Sequence, residues 1–346
     1  MSDLRACLVG VAAYLPERWV PMAERESQIA AASNGFVPPP GLLSQLTGVQ
    51  GIHLIGDDQQ ASDLAVNAAR KLMADCGAGP DDVDLMIFAA ASQDLAEPAT
   101  SHIVAAELGL DCPVFDVKNA CNSVLNAIEV THGLISSRQY RRVLITCGEA
   151  PSLYSRLRVP DAAAFARSFP SYGFSDAGAA MLWEAGEVTG SPSQARGLLG
   201  ARFSAESALW PCATVVHGGT RSVRSATKED AYFQMESTRM RESLRLLCRS
   251  HLPPLLDELG LEVADFAFIG VHQVSLGDLD DLCAAGFGIP REKLVVTLPR
   301  HGNVASASLP LQLATAMDRG LAAPGDLVAL IGLAAGSSAG LVVIRL

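Results

Sequence analysis

The sequence has no block of lysine or arginine, and its formal net charge is −11. Nucleic acids and anionic membrane surfaces attract clustered basic residues, so neither is expected as a partner. The glycine-rich motifs G-x-G-x-x-G and G-x-x-x-x-G-K are also absent, which excludes a Rossmann or P-loop nucleotide site based on them. The N-terminal MSDLRACLVGVAAYLP lacks the pattern of a signal peptide, which predicts a cytoplasmic protein.

The eight cysteines form no C-x-x-C pair and are spread along the chain, so no bound metal ion is expected. In a cytoplasmic protein this distribution predicts reduced and mostly buried thiols. Aromatic residues make up only 5% of the chain, whereas apolar residues together make up 49%. We therefore expect a globular protein whose core consists mainly of Ala, Leu, Val and Gly.

An uncharged stretch near the C-terminus, LVALIGLAAGSSAGLVVI at 327–344, is long enough for a transmembrane helix. Its middle, GSSAG, is typical of a turn, and the flanking segments are rich in Leu, Val and Ile. This pattern favours two short buried strands joined by a tight turn over a membrane span.

Strand-like and helix-like segments alternate along the first half, which predicts an α/β fold built in layers. Apolar runs typical of strands occur at 7–15, 85–92, 114–117, 142–149 and 177–185. Helical patterns occur at 62–77, 101–109 and 123–137.

The second half repeats this order, with a strand at 265–273, a helical pattern that opens at Asn303, and a strand at 326–334. Each half places a polar residue, Cys121 or Asn303, at the predicted start of a buried helix. The sequence thus predicts two pseudo-equivalent halves, at 1–185 and 236–346. The segment between them, 186–235, is predicted to be a connecting excursion of loops near the entrance of a site.

Cys121 lies in a polar break, KNACNS, between a predicted strand and a predicted helix. Backbone N–H groups at a helix start lower the pKa of a thiol, so we expect a nucleophile there. His272, at a strand end, can take the thiol proton, and Asn303 can donate to a developing oxyanion. Taken singly, a buried inert cysteine and a structural histidine are the alternatives. Face-to-face packing of the halves would bring the three residues together.

These motifs resemble those of the ketoacyl-ACP synthase III family of the thiolase superfamily, over nearly the whole chain. DVKNACNSVLNAI is similar to the nucleophile motif, GFSDAGAAML to the glycine-rich strand, VHQVS to the histidine motif and RHGNVASASLPLQL to the asparagine motif. The resemblance implies a thiolase-like duplicated α-β-α-β-α fold and a homodimer. It also implies an acyl thioester substrate, on coenzyme A or an acyl carrier protein, and no tightly bound cofactor.

By this resemblance, Cys121 carries the acyl group while His272 and Asn303 activate the second substrate. The oxyanion hole uses the N–H of Cys121 and that of Gly336 in GLAAGSS. Glu97 occupies the position that reaches across the dimer into the partner's acyl channel in this family. A carboxylate there could act as a base; the alternative is a solvated loop glutamate.

The chain departs from the family at the residues that hold coenzyme A. Leu42 and Leu46 lie where the family has the tryptophan and arginine that stack on adenine. Ser275 and Gly277 replace an asparagine and an arginine after the histidine motif. These departures imply a carrier-protein donor, or coenzyme A held in another way. They also imply a specialised relative, in secondary metabolism, in place of the housekeeping fatty-acid starter enzyme.

Two arginines, Arg156 and Arg158, are the remaining candidates for a phosphate contact, and a solvated side chain is the alternative for each. The leading functional prediction is an acyltransferase that condenses the acyl-Cys121 with a malonyl-type or other acyl nucleophile. The alternative is acyl transfer to a hydroxyl or an amine, without C–C bond formation. A non-catalytic partner subunit is a third possibility, and the retention of Cys121, His272 and Asn303 argues against it.

Overall fold

The computed structural model describes residues 3–188, 194–223, 227–251, 253–284 and 288–346. Its strands are β1 Leu4–Tyr14, β2 Trp19–Pro21, β3 Gly51–His53, β4 Leu85–Ala89, β5 Val114–Val117, β6 Arg142–Glu149, β7 Ala177–Glu187, β8 Gly197–Ala205, β9 Ala213–Thr214, β10 Gln234–Met235, β11 Phe268–Val271, β12 Leu327–Ala334 and β13 Ser338–Arg345. Its helices are α1 Met22–Ala32, α2 Leu42–Thr47, α3 Ala61–Cys76, α4 Thr100–Leu108, α5 Ser123–Ser136, α6 Ala162–Ser168, α7 Thr220–Val223, α8 Ser237–His251, α9 Pro253–Leu259, α10 Leu276–Leu282, α11 Leu298–His301 and α12 Ser308–Asp318.

The first sheet has the strand order β1-β7-β6-β4-β5. β4 runs parallel to β5 and β6, whereas β7 runs antiparallel to β6 and β1. All residues of β4 are buried, as expected for an apolar strand covered on both faces. The predicted α/β fold is confirmed, and the predicted strands 114–117 and 142–149 have the observed bounds.

The second sheet has the order β11-β12-β13-β8 and repeats the first one. β11 is parallel to β12, and the next two pairings are antiparallel, as in the series β4-β6-β7-β1. β8 is thus the counterpart of β1. Sequence analysis missed this strand, because it lies in the segment predicted to be loops. Residues 189–193 and 224–226 of that segment lie outside the described residues, and the boundaries of the halves remain predictions.

Helices α5 and α12 lie between the two sheets. α5 contacts β1, β4 and β6 of the first sheet and β13 of the second, and α12 contacts β1 and β7 as well as β11 and β12. Helices α3 and α4 cover the outer face of the first sheet. In the second sheet, α8 packs on β8 and β13, and α9 packs on β8. The result is the α-β-α-β-α layering of the thiolase-like fold. The layer of α5 and α12 is where the two halves face each other.

The uncharged stretch 327–344 forms the antiparallel pair β12 and β13, so the predicted hairpin is confirmed. Its residues are almost all buried, which accounts for the absence of charge. No helix in the described part of the chain is both long and apolar enough to cross a membrane.

Candidate active site

Cys121, His272 and Asn303 line one cavity of about 180 Å³. The structure therefore brings together the three residues that the sequence analysis singled out. The remaining wall is mostly apolar. It includes Phe169, Phe174, Phe233, Met235, Met240, Leu244, Val274, Leu279, Leu282 and Leu333. Such a lining accepts an acyl chain or an extended thioester arm and excludes water from the polar groups at its inner end.

Cys121 is held by a tight turn between β5 and α5. Ala120, just before it, has a left-handed φ of 46°, a conformation that costs energy for a residue other than glycine. The turn is closed by the N–H of Asn122, which donates to Asn119 O at 3.0 Å, and by that of Ser123, which donates to Ala120 O at 3.1 Å. The thiol is thereby fixed just ahead of the helix start.

The residue after the thiol ties this turn to the second sheet. Asn122 is fully buried, and its Nδ2 donates to the backbone oxygen and the hydroxyl of Ser338, at 3.3 and 3.1 Å. A Cβ added to Gly332 of β12 would overlap Asn122 Oδ1. Glycine at position 332 therefore lets the two halves approach closely beside Cys121.

Burial raises the pKa of the Cys121 thiol to about 12, and the carboxylate of Glu149 raises it as well. A backbone hydrogen bond acts in the opposite direction but is the smaller effect. The sequence-based expectation of a lowered thiol pKa is therefore wrong for this site. At neutral pH the resting site holds a thiol.

His272 follows β11, and its backbone N–H donates to Ile331 O at 2.9 Å. Burial lowers the pKa of its imidazole to about 4, so the ring is neutral at physiological pH. The buried Nδ1 has no hydrogen-bond partner among the residues the structure describes. A neutral imidazole facing the thiol cavity can accept a proton when one is released there.

The adjacent Gln273 connects the histidine segment to the asparagine segment. Its Nε2 donates to Val295 O at 2.8 Å, and its Oε1 accepts the N–H groups of Thr297 and Leu298, both at 3.0 Å. One buried amide thus fixes the segment that carries His272 against the segment that precedes Asn303.

Asn303 is held by its backbone, which leaves part of its side chain available. Its N–H donates to Gly173 O at 2.8 Å, and its carbonyl accepts the N–H of Ser175 at 3.0 Å. Oδ1 accepts the N–H of Ala305 at 3.0 Å, which orients the amide. Gly302 has φ of 64°, and a Cβ there would lie 2.7 Å from Gly173 O, so glycine is required beside the asparagine.

The sequence analysis placed Asn303 at the start of a helix, and that placement is wrong. Asn303 is followed by a 3₁₀ turn, Ala305–Ala307, and α12 begins only at Ser308. The helical period of the apolar residues does not distinguish the irregular turn from the helix that follows it.

The residue equivalent to Cys121 in the second half is Ser306. Ala305 has φ of 47° and lies three residues before the first residue of α12. Ala120 has φ of 46° and lies three residues before the first residue of α5. The N–H of Val124 in α5 donates to the Ser306 hydroxyl at 2.9 Å. The two helix starts therefore meet, one with a thiol and the other with a hydroxyl.

Gly336 lies in the turn between β12 and β13, with φ of 82°. The cavity wall there is formed by Leu333, Ala334 and Ala335, just before it. The turn thus lies next to the cavity. The predicted role of the Gly336 N–H in an oxyanion hole remains a prediction.

Glu97 lies in the exposed segment between β4 and α4, outside the cavity lining of its own chain. Leu95 beside it is half exposed, which leaves an apolar side chain on the same surface. A single chain does not bring Glu97 to Cys121, and its predicted role across a dimer remains a prediction.

The cavity wall reaches solvent between α8 and α10. Arg241, with 52% of its side chain exposed, lies on this wall, and its Nε is 2.7 Å from Asp278 Oδ1. Arg245, one helical turn further along, also lines the cavity and pairs with Asp281. Sequence analysis missed both arginines, because the arginines of helix α8 are interspersed with Ser, Leu and Met and form no recognisable motif.

The departures from the family pattern lie at this same opening. Leu46 lines the cavity and is 55% exposed, and Leu42 begins the same short helix, α2. Ser275 caps α10 by accepting the N–H of Asp278 at 3.0 Å, and Gly277 is within that helix. Neither leucine offers the stacking or charge that adenine and phosphate groups require.

Arg156 is buried, with only 3% of its side chain exposed, and it pairs with Glu229. Its guanidinium also lies over the ring of Tyr232, 4.6 Å from the centroid. The expectation of a solvated side chain is therefore wrong for Arg156, whose charge is used inside the fold. Arg158 is exposed, as expected.

Glu149 is a further buried titratable group near Cys121 that the sequence analysis did not select. It ends the apolar strand β6 and is fully buried. Burial raises the pKa of its carboxyl to about 7, while hydrogen bonds from Ala91, Ser92 and Ser306 oppose the rise. The one available sequence signal was an acidic residue that closes an otherwise apolar run, RVLITCGE.

Comparisons with known proteins agree on one family. A model of 3-oxoacyl-[acyl-carrier-protein (ACP)] synthase III matches residues 115–197, and a model of its C terminal matches residues 256–346. The chain is 30% identical over 343 residues to beta-ketoacyl-[acyl-carrier-protein] synthase III of Ruegeria pomeroyi, covering 99% of each chain. It is also 30% identical over 344 residues to the enzyme of the same name from Cereibacter sphaeroides, again covering 99% of each.

Solved structures share the fold at lower identity. 3-Oxoacyl-(acyl carrier protein) synthase III, FabH, of Xanthomonas oryzae pv. oryzae superposes with a TM-score of 0.86 at 22% identity, covering 100% of both chains. A variant of Xanthomonas campestris OleA with bound lauric acid and lauroyl-CoA superposes with a TM-score of 0.86 at 22% identity, covering 99% of both.

Proposed function

The chain belongs to the beta-ketoacyl-[acyl-carrier-protein] synthase III family, and on that premise we propose that it is a condensing acyltransferase with Cys121 as nucleophile. Cys121 takes an acyl group from a thioester, and a malonyl-type or other acyl nucleophile then attacks the acyl-Cys121 to form a C–C bond. The observation that carries the proposal is the shared cavity of Cys121, His272 and Asn303.

In the first half-reaction both partners start neutral, since burial raises the pKa of Cys121 and lowers that of His272. The Cys121 sulfur attacks the thioester carbonyl while the neutral imidazole takes its proton. Collapse of the tetrahedral intermediate expels the donor thiolate, which receives that proton. The acyl group has then moved from one sulfur to the other, with no net change in charge.

In the second half-reaction a malonyl-type thioester loses CO₂, and the electron pair becomes a thioester enolate. A neutral imidazole carries one N–H that can donate to the enolate oxygen. Asn303 adds a second donor, because Oδ1 is already turned toward Ala305 N and Nδ2 has no partner within the described ranges. The enolate carbon attacks the acyl carbonyl. Cys121 leaves as a thiolate, which takes up one proton from water.

A second candidate is transfer of the acyl group to a hydroxyl or an amine. The neutral imidazole of His272 on the cavity wall supports this reading as well. Such a ring can take the proton of an attacking alcohol. The two candidates differ in their need for Asn303. Condensation uses its amide as a donor to the enolate oxygen, whereas transfer to a hydroxyl or an amine needs a base, and an amide is not one.

The donor is proposed to be an acyl carrier protein arm in preference to free coenzyme A. Leu42 and Leu46 offer no adenine stack, and Gly277 offers no charge. Arg241 is a cation on the cavity wall whose guanidinium is fixed at Nε by Asp278, so its terminal amino groups can meet a phosphate. A phosphopantetheine arm that enters here would place its phosphate beside this arginine. The altered donor site also supports a specialised role over housekeeping fatty-acid synthesis.

Intact-protein mass spectrometry with a panel of acyl thioesters tests the proposal. The expected result is a mass increase of one acyl group, located on the peptide that contains Cys121 and absent from the Cys121→Ala variant. Adding malonyl thioester, other acyl thioesters, alcohols or amines then shows which species discharges the enzyme. Failure of every thioester to modify Cys121 would contradict the function.

A further inference from the structure

Glu149 is a fully buried carboxyl group that forms no salt bridge in the described portion of the chain, although burial lowers the pKa of Lys118 and the charge of Glu149 acts to raise it. Its Oε1 accepts the N–H groups of Ala91 at 2.8 Å and Ser306 at 3.2 Å. Its Oε2 accepts the N–H of Ser92 at 3.1 Å and the hydroxyl of the same residue at 2.9 Å. A buried charge without a contacting counterion is costly, and here these hydrogen bonds offset part of the cost.

These hydrogen bonds join the chain segments that carry the proposed site residues. Ser306 belongs to the turn that follows Asn303, and its hydroxyl accepts the N–H of Val124 in the first turn of α5. On the other side, the Ser92 hydroxyl accepts the N–H of Ala150, so the segment after β4 is fixed to the end of β6. That segment leads directly to the exposed loop with Glu97.

We propose that Glu149 is a positioning residue of the condensation site: its carboxylate holds the turn that carries Asn303 in register with the turn that carries Cys121. The inference rests on the proposed function, because that function assigns a reacting group to each turn. Glu149 itself touches neither the thioester nor the thiol. It acts through Ser306, whose N–H it binds and whose hydroxyl binds the nucleophile helix.

The charge of Glu149 has a second effect on the site. It raises the pKa of Cys121, and the other titratable groups that it influences are Cys147 on its own strand, Lys118 before the nucleophile turn, and Tyr154 after β6. Removing the charge should therefore lower the pKa of the Cys121 thiol. The same carboxylate thus aligns the second half-reaction and adds to the effect of burial, which holds the resting Cys121 as a thiol that is less prone to unwanted alkylation.

Glu149→Gln separates these effects from a merely structural role. The variant keeps the shape of the side chain but removes the charge. Its NH₂ group replaces one accepting oxygen and cannot accept the hydrogen bonds that this oxygen received. We expect iodoacetamide to alkylate Cys121 several-fold faster at pH 8, measured on the peptide that contains it. We also expect the single-turnover discharge of acyl-Cys121 to fall by roughly 10- to 100-fold, as misalignment of reacting groups does.

Two matched variants complete the test. Ser306→Ala keeps the N–H to Glu149 and the charge but loses the hydroxyl that binds Val124, so discharge should fall while the pH profile of alkylation stays unchanged. Glu129→Gln removes an exposed carboxylate from α5, the helix that contains Val124. In this control neither the alkylation rate nor the discharge rate should change. Loosened packing would expose the buried thiol and speed alkylation by itself. The deciding readout in Glu149→Gln is therefore the loss of the bend near pH 7 in the alkylation profile, which Ser306→Ala should keep.

If Glu149→Gln does not fold, the wild-type alkylation profile and Ser306→Ala decide. A plot of the logarithm of the alkylation rate against pH should then change slope near pH 7, where the Glu149 carboxyl titrates. A straight profile together with normal discharge in Ser306→Ala overturns the inference, as do unchanged rates in a folded Glu149→Gln. A wild-type protein that no thioester acylates at Cys121 defeats the proposed function instead, so the two failures are distinguishable.

Discussion

Ala120 and Ala305 adopt the same left-handed backbone conformation, each at the same distance ahead of a helix between the two sheets. The correspondence aligns Cys121 of the first half with Ser306 of the second. The hydroxyl at this second position caps the first turn of the opposite helix through Val124. One half therefore presents the proposed nucleophile, Cys121, at the junction. The other half presents a structural contact there, and its proposed site residue, Asn303, lies upstream.

Replacing Asn303 by Ala should leave the acylation of Cys121 largely intact and slow C–C bond formation by roughly 10²–10³-fold, the usual cost of losing one oxyanion donor. Rapid-quench mass spectrometry of pre-acylated enzyme measures the discharge in a single turnover. Asn34→Ala, at an exposed position, serves as the control. A near-normal discharge would favour transfer to a hydroxyl or an amine.

His272 should make the folded protein less stable as the pH falls from 6.5 to 4. Its folded pKa of about 4 lies below the usual value of 6.5, so in this window the unfolded chain binds more protons and stability rises with pH. The full effect is about 3 kcal/mol at most. Urea unfolding at pH 7 and pH 4.5 should show a smaller pH dependence for His272→Gln than for the wild type, and equal dependence would contradict the assignment.

Arg241→Ala should raise the KM for phosphopantetheine thioesters without a matching loss of kcat, because the side chain lies at the cavity opening, away from the thiol. Arg239→Ala is the matched control, since Arg239 is on the same helix, pairs with Glu236 and does not line the cavity. Assays with a carrier-protein thioester and the corresponding coenzyme A ester compare the two donors. We expect faster acylation from the carrier protein, and equal or better rates with coenzyme A would contradict the donor assignment.

The protein should form a homodimer in which Glu97 approaches the partner's cavity. β5 is at the edge of the first sheet, so one side of this strand is free to pair within the part of the chain described. Light scattering at micromolar concentration measures the mass, and a monomer would remove the proposed role. In a dimer, Glu97→Gln should slow discharge of acyl-Cys121 while leaving its acylation unchanged.

Strands with continuous apolar runs could be predicted from the sequence, and β5 and β6 have the bounds expected for them. β8 could not, because GLLGARFSA combines two glycines with an arginine and has a mostly half-buried pattern. Its identity as a strand depends on pairing with β13, which no local pattern reveals. Edge strands lose this signal first, since only one neighbour stabilises them.

At the site, the convergence of Cys121, His272 and Asn303 on one cavity was predictable from motifs, whereas the electrostatics were not. The helix-start argument for Cys121 has the right sign for its backbone contribution, but burial outweighs it and raises the pKa. Burial depends on both halves, which close over the thiol from distant parts of the sequence. Glu149 was missed for the same reason: its partners Ala91 and Ser306 lie far from it along the chain.

The pairing of β8 with β13 has a consequence for folding during synthesis. β1 can pair with β7 once the first half has left the ribosome, but β8 then has no strand to join until β13 is made far along the chain. Long-range pairing of this kind is slow and leaves an unpaired strand edge exposed in the meantime. The nascent chain should therefore bind chaperones most strongly after the first sheet has closed and before the second one does.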